Sequence, residues 1–202
     1  MGDTVTAPDH AGLYSVASAQ AGSFTAAQAL EHGFSSSLLS HHVRSGRFVR
    51  VGRGVYRFRD HPVQPGDEIV AAWLRLAPDA VVSHESALEI LGLADTIPDV
   101  VHLTVPRSRR RLIPQDGVAI HTSTHPLGPR DTLTRRGMRV TAPARTIADI
   151  AATGVAPEQV VTAVRAALDR GMTTPGLLRE AAAIRGHRVA RLVEAALAGA
   201  AR

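Results

Sequence analysis

Residues 35–58 read SSSLLSHHVRSGRFVRVGRGVYRF, and this stretch decides the fold. Ser35 is a good helix N-cap, and Phe34 just before it can pack on Leu39 as a hydrophobic staple. At about 100° per residue, Leu39 and Val43 share one face, with Leu38 and His42 beside it. Ser37, Ser40, His41 and Arg44 take the opposite face, and Gly46 stops the helix. Residues 47–58 are rich in β-branched and aromatic side chains, interrupted by Gly52-Arg53-Gly54. That pattern predicts two strands joined by a tight turn.

Upstream, residues 13–20 place Leu13, Val16 and Ala17 on one helical face. Ser23 and Thr25 can cap a second helix, with Ala26, Ala27 and Leu30 as its apolar stripe and Gly33 as its stop. Helix, helix, turn, helix and hairpin within about fifty residues is the order of a winged helix-turn-helix. The expected organisation is a flexible tail at 1–11, the winged helix at 12–61, and a mixed α/β domain at 62–202. The boundary is placed where a Pro- and Gly-containing linker, 61–66, separates basic from acidic composition.

Beyond the linker the sequence predicts a helix at 67–76, with Ile69, Val70 and Trp73 on its apolar side. Residues 80–82 are extended, and Ser83 caps a helix that buries Ala87, Leu88 and Leu91. Further extended segments fall at 100–105, 118–122 and 138–141. Pro143 suits the first turn of a helix to about residue 152, and helices follow at 157–170, 175–185 and 188–200. The expected class is α/β in the α+β sense, with a helical C-terminal end.

Composition excludes much enzymology. All 23 basic residues are Arg, so there is no P-loop lysine or Schiff base. Cys is absent too, which removes thiol nucleophiles, disulfides and Cys-ligated zinc. No uncharged apolar run approaches a membrane span, and a cytoplasmic protein without membrane contact is expected. Charge is segregated. Residues 12–59 carry six Arg and one acid, 60–100 one Arg and eight acids, and 101–145 nine Arg and two acids. Basic blocks suit a polyanion.

The polar face of the 36–45 helix suits a major groove. Arg44 can take guanine O6 and N7, while Ser37, Ser40 and His41 hydrogen-bond bases or phosphates. Arg47, Arg50, Arg53 and Arg57 follow on the hairpin with no acid among them, and Arg53 sits at its tip. A merely solvated helix and hairpin would not need such a one-sided charge. The second basic patch is Arg107, Arg109, Arg110 and Arg111. Four Arg in five positions cannot share one side of a strand, so a loop at a sheet edge is expected. It faces DNA, an acidic protein partner, or the protein's own acidic block.

Other motifs fall short. His84-Glu85 opens an HExxH pattern, but Leu88 stands at the second His position. His121 and His125 are four apart on an extended stretch, and Ser83-His84-Glu85 is adjacency rather than triad geometry. No catalytic residue, metal site or cofactor is expected.

Four blocks resemble the AbiEi family of type IV toxin–antitoxin antitoxins: GFSSSLLSHHVRSGRFVRVGRGVYRF, PDAVVSHESALEILGL, VVHLTVP and GMRVTAPARTIADIA. The resemblance implies an N-terminal winged helix-turn-helix that represses its own operon at an operator with repeats. Its recognition helix would lie at 36–45 and its wing at 49–58. It also implies a C-terminal antitoxin domain opposing a nucleotidyltransferase toxin. Two alternatives stay open beside it: a free-standing winged-helix regulator, whose second domain could sense a small molecule, and a nucleic-acid-processing enzyme targeted by its winged helix.

Overall fold

The computed structural model describes residues 7–94, 98–109, 116–123 and 127–200. They fall into two compact units, divided after Pro78, with residues 136–138 belonging to the first. The first contains α1 (His10–Ser18), β1 (Ser23–Thr25), α2 (Ala26–Glu31), α3 (Ser36–Arg44), β2 (Phe48–Gly52), β3 (Val55–Phe58) and α4 (Asp67–Leu74). The three strands form an antiparallel sheet in the order β1-β3-β2. Three helices on a small antiparallel sheet with a hairpin is the winged-helix arrangement expected from residues 35–58.

Caps explain the helix starts. Asp9 caps α1 by accepting from the Gly12 amide at 2.8 Å, so helix begins inside the segment expected to be a flexible tail. Thr25 and Gln28 form a reciprocal capping box on α2. Ser35 caps α3 through the Leu38 amide. Two expectations are corrected here. Ser23 lies in β1, paired with Arg57, and does not cap α2. Leu30 is 67% exposed, and Ala29 is the residue α2 buries. In so short a helix the capping geometry at Thr25 sets the rotation, turning Ala29 inward.

The core of this unit is Leu13, Ala17, Phe24, Ala29, Phe34, Leu39 and Phe48, with Ala26, Leu38, Val43, Tyr56 and Phe58 packed against it. All four Phe and both Tyr of the chain lie in residues 14–58. Phe48 meets Phe24 and Phe58 edge-to-face at 5.0 and 4.9 Å between ring centroids. A domain this small has a poor surface-to-volume ratio, and large rings bury the most apolar area per residue. Helix α4 contacts β1 and β2 and buries Ile69, Val70 and Trp73. The compact unit therefore continues past the linker to Pro78.

The second unit holds β4 (Val81–Val82), α5 (His84–Leu91), β5 (Val101–Pro106), a 3-10 turn (Arg107–Arg109), β6 (Val118–Ser123) and β7 (Thr132–Arg135). Strand β8 (Met138–Thr141) and helices α6 (Pro143–Thr153), α7 (Pro157–Asp169), α8 (Pro175–Ile184) and α9 (His187–Ala200) complete it. The sheet order is β6-β5-β4-β8-β7, with β5 parallel to β6 and antiparallel to β4. Strand β7 carries none of the strong β-formers that marked the other strands except Thr, and sequence reading passes over it. Helices α7 and α9 meet through Val160, Ala163, Val164 and Ala167 against Val189, Val193 and Ala196, all buried. Ser83 sits at the N-cap of α5 but makes no side-chain cap there, because its hydroxyl is used by His84 and Thr104. Among the described residues, no helix is long and apolar enough to cross a membrane.

Candidate nucleic-acid interface

Helix α3 is held by burial on one side only. Leu39 and His42 are buried, Leu38 and Val43 half-buried, and the rest of its length faces solvent. Ser37, Ser40, His41 and Arg44 are all exposed, as the helical periodicity required. The Ser40 hydroxyl donates to the Ser36 carbonyl at 2.9 Å, leaving its oxygen as an outward acceptor. Ser37 and Ser35 share a hydrogen bond of 2.9 Å at the first turn. Among the described residues, the guanidinium of Arg44 has no hydrogen bond or ion pair, nor have those of Arg47 and Arg53. Three exposed cations with no internal partner are available to an external anion.

The hairpin beside α3 is a bulged wing. Register shifts between Arg50 and Gly52, and Gly54 turns the chain at φ +71° with open space around it. A Gly is required there because an L side chain rarely adopts that backbone. Arg53 occupies the tip. The register pairs Arg50 with Tyr56 and Val49 with Arg57. Side chains alternate across a strand, so Arg50 lies on the face of Phe48, Tyr56 and Phe58, while Arg57 lies on the other. Arg57 is half-buried and donates to the His61 carbonyl at 2.9 Å. Arg59 is turned back onto the Gly46 carbonyl and closes the base of the wing.

His42 carries α3 into the aromatic core. It packs against Phe48 at 4.9 Å, His10 at 5.3 Å and Phe34 at 5.7 Å between ring centroids, and its Nδ1 is buried without a hydrogen-bond partner. Burial, then the charges of His10, Arg47 and His41 facing it, push its pKa below the ordinary histidine value. A base whose folded pKa is depressed stabilises the fold above its unfolded value, about 6.5, and loses that contribution as pH falls. The winged helix is accordingly expected to lose stability on acidification below about pH 6.5. The near-ultraviolet signal of Tyr14 and Tyr56 during urea titrations reads this out. His42→Phe should flatten the profile, and an equally steep profile in that variant would assign the effect elsewhere.

The second basic patch is seen in part. Arg110 and Arg111 lie outside the described residues. Arg107 and Arg109 are exposed on the turn after β5, off the strand, as their crowding demanded. Arg109 pairs with Asp79 at 3.3 Å, so the acidic block supplies one counter-charge internally. Arg107 and Arg139 border a cleft of about 370 Å³ with Thr104, Pro106 and Ser123.

Two polar clusters in the second unit were not anticipated. Asp149 of α6 is buried and accepts from Arg145 Nε at 2.9 and 3.0 Å, and also from Arg185 at the end of α8. Burial pushes its carboxyl up against the pull of both guanidinium groups. Nearby in sequence terms, nothing connects His84, His102 and His121, yet one ring nitrogen of each lies within 4.8 Å of the others. Burial, then the neighbouring His121 and His102, push the His84 ring to about 2. His102 and Thr104 share one face of β5, and the parallel register brings His121 opposite Thr104. Period-two alternation could have placed His102 and His121 on a face. Only the β5–β6 register and the packing of α5 on β5 could bring the three together.

Residues 13–59 match the model of a family described as transcriptional regulator, AbiEi antitoxin. The match spans α1 through the wing, and over this segment the resemblance drawn from residues 33–58 is borne out. The family is one of regulators and antitoxins. No curated protein matches the chain.

Proposed function

We propose that this protein is a DNA-binding transcriptional repressor of the AbiEi antitoxin type, which inserts α3 into the major groove of its own operator. The reading rests on one observation: Ser37, Ser40, His41 and Arg44 form a solvent-facing polar stripe on a helix whose other side is locked into an aromatic core. Arg47, Arg50 and Arg53 extend that stripe along the wing as phosphate contacts, with Arg57 at its margin. Through its second domain the protein counteracts a nucleotidyltransferase-type toxin encoded beside it, a role that the family's antitoxin description supports. It works inside the cytoplasm, where both partners would be.

Titrating the full chain with labelled duplex from upstream of its own operon tests the proposal. Arg44→Ala should weaken specific binding by about 1–3 kcal/mol and relax one base position, while random duplex is bound nearly as before. Arg53→Ala should lower the slope of log affinity against log salt by about one unit on either duplex. Binding with no preference for any sequence in the chain's own operon would defeat the repressor reading. Equal losses on operator and random DNA in Arg44→Ala would reduce that residue to a phosphate contact.

Neutralising Arg107, Arg109, Arg110 and Arg111 together to Ser assigns the second patch. Loss of operator affinity with a shallower salt slope would make it a second phosphate clamp. Retained operator binding with failed rescue from the neighbouring toxin would make it the toxin-docking surface, which is the outcome we expect. If both activities survive, the patch is solvated surface.

A further inference from the structure

We propose that His84, His102 and His121, with Glu85 beside them, form a binding site for one divalent transition-metal ion, with zinc the expected occupant. The site draws on three elements: the first two residues of α5, the second residue of β5, and β6. His102 Nδ1 lies 3.0 Å from His121 Nε2 and 3.2 Å from Glu85 Oε2. The His84 ring stacks on His121 at 3.6 Å between centroids.

Zinc bound to imidazole at about 2.0–2.1 Å in a tetrahedron places its donor atoms roughly 3.3 Å apart. The observed spacings of 3.0 and 3.2 Å already have that scale. A single N–H···N hydrogen bond serves the two ring nitrogens 3.0 Å apart, but Glu85 Oε2 is buried without a hydrogen bond. A dication among them would use all these lone pairs at once.

The surroundings favour the same assignment. Ser83 Oγ lies 2.9 Å from His84 Nδ1 and accepts from Thr104 Oγ1 at 2.8 Å, so the ring is held by a buried hydroxyl pair. Such partners fix the orientation of metal-ligating imidazoles elsewhere. His84 holds its place at φ +52°, a conformation that L side chains rarely adopt. Strain of that kind persists where the surroundings over-determine it. Three imidazoles and one carboxylate, with no sulfur, suit a borderline ion such as zinc or cobalt. Three imidazoles with a nitrogen each within 4.8 Å of the others, and the Glu85 carboxylate beside His102, would hold the ion as a structural tie between α5 and both parallel strands.

The test uses the full chain after chelation and dialysis, titrated with zinc chloride by calorimetry and with cobalt chloride by visible absorption. One ion per chain is expected, with tetrahedral cobalt bands and a higher melting temperature. His102→Gln and His121→Gln should each weaken binding by about 10-fold or more. These residues are chosen because His84 is too deeply buried to replace safely. If the variants fail to fold, nitrogen-labelled histidine spectra of the unmutated chain decide the matter. Zinc should perturb the ring signals of His84, His102 and His121 and leave His10, His32, His41, His42, His61 and His187 in place. Absence of stoichiometric binding by the unmutated chain, or perturbation confined to the second group, would overturn the site.

Discussion

Replacing Asp149 with Ala is expected to destabilise the second domain by about 3–5 kcal/mol, the usual cost of stranding one side of a buried ion pair. The carboxylate lies between Arg145, four residues earlier on α6, and Arg185 at the C-terminal end of α8. Arg145 also approaches Asp131 at 3.7 Å, but that acid is partly exposed and occupied by the Gly128 amide. Removing Asp149 leaves the Arg145 guanidinium, which is only 10% exposed, without its principal anion. It also releases the tie between α6 and α8. Asp149→Asn keeps the volume and one acceptor but not the charge, and should fall between parent and Ala. Urea denaturation followed by far-ultraviolet circular dichroism measures both. A loss below about 1 kcal/mol for the Ala variant would show that the two Arg find water instead, as at a surface pair.

Phe48→Ala should unfold the winged helix while the second domain stays folded. Phe48 is 1% exposed and touches Phe24, Phe34, His42 and Phe58. Truncating a buried Phe costs about 3–5 kcal/mol, of the same order as the whole stability of a domain this size. Operator binding would then vanish although Phe48 touches no DNA, because α3 would lose the surface it is seated on. Phe48→Leu retains most of the volume and should keep measurable binding. Intact tyrosine near-ultraviolet signals and unchanged DNA affinity in Phe48→Ala would mean that the aromatic cluster collapses around the gap without cost.

The two variants also divide the motifs that carry the family resemblance. In VRSGRFVRVGRGVYRF, Phe48, Val55, Tyr56 and Phe58 belong to packing, while Arg44, Arg47, Arg50 and Arg53 are exposed. In TAPARTIADIA, every residue from Pro143 to Ala151 is buried. Thr146 bonds to Thr141 and Ala142, and Arg145 and Asp149 bond to each other. That second motif is structural along its whole length, and its polar letters are internal ties.

The winged helix was legible in the sequence because its determinants are local. N-caps at Thr25 and Ser35, glycine stops at Gly33 and Gly46, and a Gly-Arg-Gly turn act within a few residues of themselves. Helical periodicity alone assigned Ser37, Ser40, His41 and Arg44 to the outer face. The chain by itself thus determined the order of the helices and hairpin of the winged helix, the polar face of α3 and the segregation of charge. Tertiary structure decided what depends on contacts distant in sequence. Strand β1 exists because β3 pairs with it, although three residues of SFT have no strand pattern of their own. Asp149 meets Arg185 across 36 residues, and His102 meets His121 across 19. Such partners are chosen by helix packing and strand register, where a shift of one residue turns every side chain to the opposite face. Local propensity carries no information about that choice, so the exposed polar face of α3 could be read from the sequence and the buried polar clusters could not.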